Sequence, residues 1–431
     1  MKRALVLLLT LACCAGAFAA PDRVTAIHSG RLLDVRSGRI VQNAVVVVRG
    51  NRIAAWGERG STRIPDGAER IDLGDMTLLP GLIDCHTHLV DSAESYSVAG
   101  PLQTSAAAMA LGAVPHARAT LRAGFTTVRD LGTYRAFVDV ALRDAIDRGA
   151  VEGPRMQTCG AYVTISGGAG ALTGLAHDLE LPVELRYGVA DGPDQVRARV
   201  RAVVRQGATV IKILATGAVL TPGSEPGAQE MTYEEMRAAV EEASKAGLRV
   251  ACHAHGAAGA KDAIRAGVAS IEHGSLLDEE ALRMMLARGV FLVPDTYNAD
   301  VIMQRPQGYL QEFLDKQARI KAAHEEVVRK AIKMGVRIAY GTDAAVIPHG
   351  DNGKQFASYV QLGMTPLQAI QTATISAADL LGWSDRIGHI DAGLYADLIA
   401  VPGNPLLDVK VLERPALVMK NGQVVSTPAR P

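Results

Sequence analysis

The sequence predicts an α/β protein: a (β/α)8 barrel over residues 81–384, carrying a small β-sandwich assembled from 20–80 and 385–431. Three observations lead there. A helix–glycine–strand unit recurs through the middle of the chain. Apolar alternation of period 2 is confined to the two ends. The recurring strands end in histidine, lysine or aspartate.

The chain starts with a processing segment. Lys2-Arg3 is a basic start, Ala4 to Leu11 an apolar run and Ala17-Phe18-Ala19 a small-x-small cleavage site, so a signal peptide over 1–19 and export, to a bacterial periplasm, are expected. The apolar run is too short to span a bilayer, and no membrane association is expected once the signal is removed. Cys13 and Cys14 raise a lipoprotein alternative, to which Thr10-Leu11-Ala12 is a poor match. Cys85, Cys159 and Cys252 remain, an odd and scattered set that is no disulfide framework. Cys85 and Cys252 each precede a histidine. By strand alternation they should point away from it, into the strand–helix packing layer, as small apolar groups.

From Val24 to Trp56 the pattern is that of strands. Ala44–Val48, the turn Arg49-Gly50-Asn51-Arg52 and Ile53–Trp56 form a hairpin. The C-terminus returns to this texture with Ala396–Val401 and Ala416–Met419. Asn421-Gly422 closes a second hairpin, because both residues tolerate positive φ.

Between these ends, an apolar run from Met76 to Ile83 leads into Asp84-Cys85-His86-Thr87-His88. Alternate strand residues share a face, so His86 and His88 point together. Then the repeat begins. Gly124 leads through Phe125–Val128 to Asp130, Gly207 through Ala208–Ile211 to Lys212, and Gly247 through Leu248–Val250 to His253. Gly267 leads through Val268–Ile271 to His273, Gly289 through Val290–Val293 to Asp295, and Gly335 through Val336–Tyr340 to Asp343. Glycine ends a helix in the left-handed conformation at low steric cost, and a basic residue before it suits the helix dipole. Helix starts agree: Thr232 with Glu235 forms a capping box, and Asp278 is an N-cap. Repeated helix-then-strand units imply parallel strands. With the His86 strand and Arg155–Val163, their number reaches about eight, as a barrel requires; its active site lies at the C-terminal strand ends.

Lys and Arg number 45 against 45 Asp and Glu, and aromatics are 4%. Balanced charge and scarce aromatics give no basis for a nucleic-acid or membrane-surface partner. A small-molecule partner is expected, and a homo-oligomer is left open.

His86, His88, Lys212, His253, His273 and Asp343 are taken as one site. Four neutral imidazoles and a carboxylate suit Zn2+ or a similar divalent ion. Lys212 lies among Val210, Ile211, Ile213 and Leu214, where desolvation favours the neutral amine. A neutral amine can add CO2 to give a carbamate able to bridge two metals; pairing with an acid, or snorkelling to the strand end, stands beside that reading. Asp343 can ligate a metal and take a proton from a bound water, or cap the next helix. His255, two residues beyond His253, is a supporting or a loop histidine.

These residues, with His253-Ala254-His255-Gly256, Glu272-His273-Gly274, Gly341-Thr342-Asp343 and Gly393-Leu394-Tyr395-Ala396-Asp397-Leu398, resemble the amidohydrolase superfamily over nearly the whole mature chain. The Lys212 segment, followed by Ala215-Thr216-Gly217, is similar to the branch with two metals bridged by a carboxylated lysine. Within it the likeness is to prolidase-like carboxypeptidases acting on Xaa-Pro dipeptides or N-acyl amino acids, and to amidohydrolases that cleave ochratoxin A. The resemblance implies two Zn2+ ions or similar. His86, His88 and Asp343 would hold one, His253 and His273 the other, with CO2-modified Lys212 between them. It implies Asp343 as the catalytic proton carrier and an amide substrate that releases a C-terminal amino acid. Relatives often carry Gly-Gly-His-Gly where this chain has Gly167-Gly168-Ala169-Gly170, so dipeptide specificity is put in question. Tyr162, His177, His255, Tyr297 and the Val219–Ala228 loop are candidate substrate contacts. Packing is an equal reading for Tyr297. A cyclic-amide hydrolase, lactonase or deaminase on the same barrel is the alternative, and an exported metal-binding protein without activity a further one.

Overall fold

The alternating N-terminal segment forms five strands: β1 (Val24–Leu33), β2 (Ile40–Arg49), β3 (Arg52–Glu58), β4 (Glu69–Asp72) and β5 (Met76–Pro80). The computed structural model describes residues 23–92 and 97–426, so the expected signal peptide lies outside the described residues. β1 pairs antiparallel with β2, and β2 with β3.

The middle of the chain supplies eight parallel strands: β6 (Leu82–Thr87), β7 (Phe125–Asp130), β8 (Arg155–Thr158), β9 (Tyr162–Val163), β10 (Ile211–Leu214), β11 (Val250–Gly256), β12 (Ser270–Leu276) and β13 (Phe291–Val293). They fall into two sheets, β6-β7-β8 and β13-β12-β11-β10-β9. Hydrogen bonds link the sheets on both sides. The extended segment 337–340 receives Leu292 N–H at the Arg337 carbonyl (2.8 Å) and Cys85 N–H at the Tyr340 carbonyl (2.7 Å). On the other side, Thr209 N–H bonds to the Thr158 carbonyl (2.8 Å). Helices pack outside the strands, and the architecture is of the TIM-barrel type.

Two strand expectations change. Arg155–Val163 is two strands, because Gly160 takes φ +74° and turns the chain between them. The Val336–Tyr340 segment is extended but contributes an isolated bridge, Ile338 to Leu292, rather than a strand. Other local readings hold. Gly267, Gly289 and Gly335 cap their helices in the left-handed conformation. The Thr232–Glu235 capping box and the Asp278 N-cap are present.

The C-terminus adds β14 (Leu398–Pro402), β15 (Leu417–Lys420) and β16 (Gln423–Ser426). Asn421 and Gly422 have φ +51° and +72°, as the turn between β15 and β16 requires. Where a sandwich from both ends is expected, the strands of both ends join in one continuous eight-stranded sheet, β16-β15-β14-β5-β1-β2-β3 with β4 beside β1. The join is β5 against β14, Leu78 opposite Ala400. Alternation then divides the labour. Leu78, Leu398 and Ala400 pack with Ile27, Val46 and Met419 in a core of this sheet. Leu79, Ile399 and Val401 face the other way, into the large core shared with the parallel strands and their helices. Cys85 and Cys252 lie buried in apolar clusters, as alternation predicts. Among the described residues no helix is long and apolar enough to cross a membrane.

Candidate active site

The six residues singled out in the sequence converge on one cavity of ≈ 540 Å³. His86 leaves the end of β6 with its ring 5.3 Å from that of His88, while Thr87 points the other way and reaches Asp130 Oδ2 (3.4 Å). The His273 ring is 4.9 Å from that of His86 and 4.6 Å from that of His253. Asp343 Oδ1 lies 3.1 Å from His88 Nε2 and 3.6 Å from His86 Nε2. Potential ligand atoms fall within 4.8 Å of one another in three overlapping groups: His86, His88 and Asp343; His253, His255 and His273; His273, Asp295 and Asp343.

Three of the four imidazoles have one ring nitrogen engaged. His88 Nδ1 is 2.5 Å from the Gly132 carbonyl, His253 Nε2 is 3.1 Å from the Gly217 carbonyl, and His273 Nδ1 is 2.9 Å from Asp295 Oδ2. His86 Nδ1 is 3.0 Å from Glu272 Oε2, though out of line for a regular hydrogen bond. Such outer partners fix tautomer and ring orientation and leave the opposite lone pair for a metal. The donor set therefore fits divalent ions of the zinc type.

The backbone shapes this convergence. His273 has φ +66° and Asp343 φ +56°. For non-glycine residues that costs on the order of 1–2 kcal/mol each. Because His273 leaves the strand conformation, Glu272 and His273 both reach His86, where strict alternation would send them to opposite faces. Gly341 is required beside them. A Cβ there would lie 2.3 Å from Val293 Cγ1 and 2.9 Å from His86 Cβ. Beneath the cluster, Arg129 is buried and donates to Glu272 Oε1 (2.8 Å), the Cys85 carbonyl (2.6 Å) and Ser270 Oγ (3.0 Å). Asp84 accepts from Thr342 Oγ1 (2.6 Å) and Asn352 Nδ2 (2.8 Å), fixing the loop that carries Asp343.

Burial lowers the Lys212 amine from its usual range, against the pull of the Glu272 and Asp343 carboxylates. Among the described residues its amine has neither a hydrogen bond nor an ion pair. Pairing with an acid, one of its expected alternatives, is not what the structure has. Burial pulls His88 down as well, but its hydrogen bond to Asp343 and that carboxylate's charge lift it to about 9. Burial opposes ionisation of Asp343, yet His88, His86 and His273 hold it well below the usual carboxylate range. His253 is held well below the usual imidazole range by burial and then by the charges of His273 and Lys212.

The expected substrate contacts divide. Tyr162 lines the cavity, with its hydroxyl 3.1 Å from the Gly132 carbonyl and 3.3 Å from His88 Nδ1. His255 lines it too, stacked on His273 at 4.9 Å and tied through Nδ1 to Ser275 Oγ (2.9 Å). Val219, Leu220 and Thr221 of the Val219–Ala228 loop border it, as does Ala169. His177 is exposed and does not line the cavity, and Tyr297 packs against Val301, Ala344 and Ile347 instead. Asp295, Glu272 and Arg129 escaped the sequence reading as site residues. Asp295 closes one of the repeat units and Glu272 sits in the Glu272-His273-Gly274 motif, so the signal was present for both.

A TIM-barrel-type α/β enzyme with imidazoles, a carboxylate and a buried lysine at its strand ends is a hydrolase by class. The chain belongs to the amidohydrolase family, whose model matches residues 77–425. It is 31% identical to the ochratoxinase of Aspergillus niger over 430 residues, which covers 94% of this chain and 87% of that protein. Among solved structures it is similar to a Xaa-Pro dipeptidase with methionine bound in the active site (38% identity, TM-score 0.87, covering 93% of this chain and 99% of the other). The A. niger ochratoxinase structure is also similar (30% identity, TM-score 0.84, covering 95% and 97%).

Proposed function

We propose that the chain is a metal-dependent amide hydrolase that releases a C-terminal amino acid from an N-acyl or dipeptide-like substrate, of the Xaa-Pro kind or an aryl-acyl amino acid such as ochratoxin A. One observation carries the reading: a buried lysine, without a hydrogen bond or ion pair among the described residues, lines the same cavity as two imidazole groups, one of which includes a carboxylate. His86, His88 and Asp343 would hold one divalent ion, His253 and His273 a second, and Lys212, carboxylated by CO2, would supply the anion between them. Zn2+ is the ion such a donor set favours. The strands would close into an eight-staved barrel, with the site at their C-terminal ends.

When bound, two such ions supply hydroxide near neutral pH and polarise the scissile carbonyl. The chain's own residues do the rest. Asp343 would be the proton carrier: its carboxylate stands ionised at the cluster, 3.1 Å from His88 Nε2, placed to take a proton and deliver it to the departing nitrogen. Glu272 and Asp295, behind His86 and His273, hold the rings in place.

The test is a metal assay beside a substrate panel. Purified full-length chain should contain about two divalent ions per molecule. It should lose activity to a chelator, regain it with Zn2+, and cleave at least one member of a set of N-acyl amino acids, Xaa-Pro dipeptides and ochratoxin A. A Lys212→Ala variant that keeps full activity with one ion would overturn the two-metal reading. Activity indifferent to chelation would overturn the metal dependence itself.

A further inference from the structure

Asp130 closes β7 and is fully buried, yet it is neither a candidate ligand nor part of the cavity lining. Its two carboxyl oxygens are directed at the backbone around His88. Oδ2 accepts from the N–H of Leu89, the residue after His88 (2.6 Å), and Oδ1 accepts from the N–H of Gly132 (3.1 Å). Gly132 in turn offers the carbonyl that lies 2.5 Å from His88 Nδ1 and accepts from the Tyr162 hydroxyl (3.1 Å). One side chain therefore holds both the segment that carries His88 and the turn that receives its ring.

The need for it is physical. The β6–β7 ladder ends with Thr87 opposite Asp130, and Leu89 and Gly132 are buried beyond that last pair. Buried N–H groups past the end of a ladder must find other acceptors, and one carboxyl group can serve two. Gly132 itself is not replaceable: it has φ +99°, and a Cβ there would lie 2.6 Å from Cys159 Sγ. His88 is tied on its other flank as well, its own N–H donating to the Ala344 carbonyl (2.8 Å) beside Asp343. A carbonyl has no proton to give, so His88 Nδ1 must carry one, and Nε2 is the nitrogen presented to the centre, 3.1 Å from Asp343 Oδ1.

We infer that Asp130 is a positioning residue for His88: through Leu89 and Gly132 it fixes the backbone that carries this imidazole and the carbonyl that orients it. The inference extends the proposed metal centre, on which its metal readout rests, to a residue outside the ligand set.

The experiment compares the full-length chain, labelled with 15N-histidine, with its Asp130→Asn variant. Asparagine keeps the shape of the side chain but leaves one of the two N–H groups without an acceptor. A His88→Gln variant assigns the His88 signal. In the metal-free natural chain the His88 Nδ1–H should be visible and slow to exchange with water. Asp130→Asn should speed that exchange about tenfold, the effect of losing one hydrogen bond. In the zinc-loaded chain, titration with a competing chelator should release the ions in two steps. Asp130→Asn should weaken one step by about 10–100-fold and leave the other unchanged. A merely structural Asp130 would lower the unfolding midpoint, leave the His88 exchange as it was and move the two release steps alike; that result overturns the inference. If Asp130→Asn does not fold, the natural chain decides: a protected Nδ1–H on His88 upholds the inference, and an unprotected one overturns it. A chain that binds no divalent ion would overturn the proposed function instead, and the imidazole signal would still decide the role of Asp130.

Discussion

The two halves of the candidate centre place the same residue types in different electrostatic surroundings. On the β6 side, a carboxylate stands in front of the imidazoles: Asp343 Oδ1 is 3.1 Å from His88 Nε2, and His88 is lifted to about 9. On the β11–β12 side the carboxylate stands behind. Asp295 touches His273 Nδ1, and His253 and His255 are pushed well below the usual imidazole range, by burial first. The first half carries its own negative charge to balance a cation. The second offers His253 and His255 as rings held neutral, beside His273, which burial pulls down but Asp295 lifts above its usual range, and in the proposed reading it draws an anion from elsewhere. In the proposed reading that anion is the carboxylated Lys212, so one chemical modification decides whether the halves act together.

The sharpest way to break this comparison is to remove the charge in front. Asp343→Asn should lower kcat by about a thousandfold or more, since it removes both a ligand and the proton carrier. Steady-state kinetics together with metal analysis checks it. Lys212→Ala should come next. The first half should keep its ion and the second should lose most of its own, so elemental analysis should fall from about two ions toward one per chain. An equal loss from both halves would erase the asymmetry.

Asp295→Asn acts from behind and should be milder. Removing such an outer partner costs about 10–100-fold in metal affinity, read by titration with a competing chelator. It should weaken one ion and not the other. The smallest effect on chemistry and the clearest on folding belongs to Gly341→Ala. Its Cβ would meet Val293 and His86. Overpacking of that kind costs about 1–3 kcal/mol, measured by denaturant unfolding.

Much of the fold was legible because its signals are local. Gly267, Gly289 and Gly335 mark helix ends, Thr232 with Glu235 marks a helix start, and Asn421-Gly422 marks a hairpin, each through the backbone conformation that its own residues prefer. The strand over 155–163 was misread because one glycine, Gly160, turns a segment whose composition is otherwise that of a strand. The pocket residues divided for a related reason. Tyr162 follows directly from its strand, whereas His177 and Tyr297 sit in connections whose course depends on distant packing.

By itself the sequence determined which residues could carry this chemistry. Histidines, a lysine and an aspartate at the ends of repeated strands must gather wherever parallel strands bring those ends together. Only the tertiary structure decided how they are aimed. The left-handed turns at His273 and Asp343, the ion pair of Arg129 with Glu272 behind His86, and the place of Asp295 behind rather than in front all depend on contacts between segments far apart in the chain. No local preference encodes them, because each is a compromise struck by a packed interior in which unpartnered polar groups are costly and the backbone yields to satisfy them.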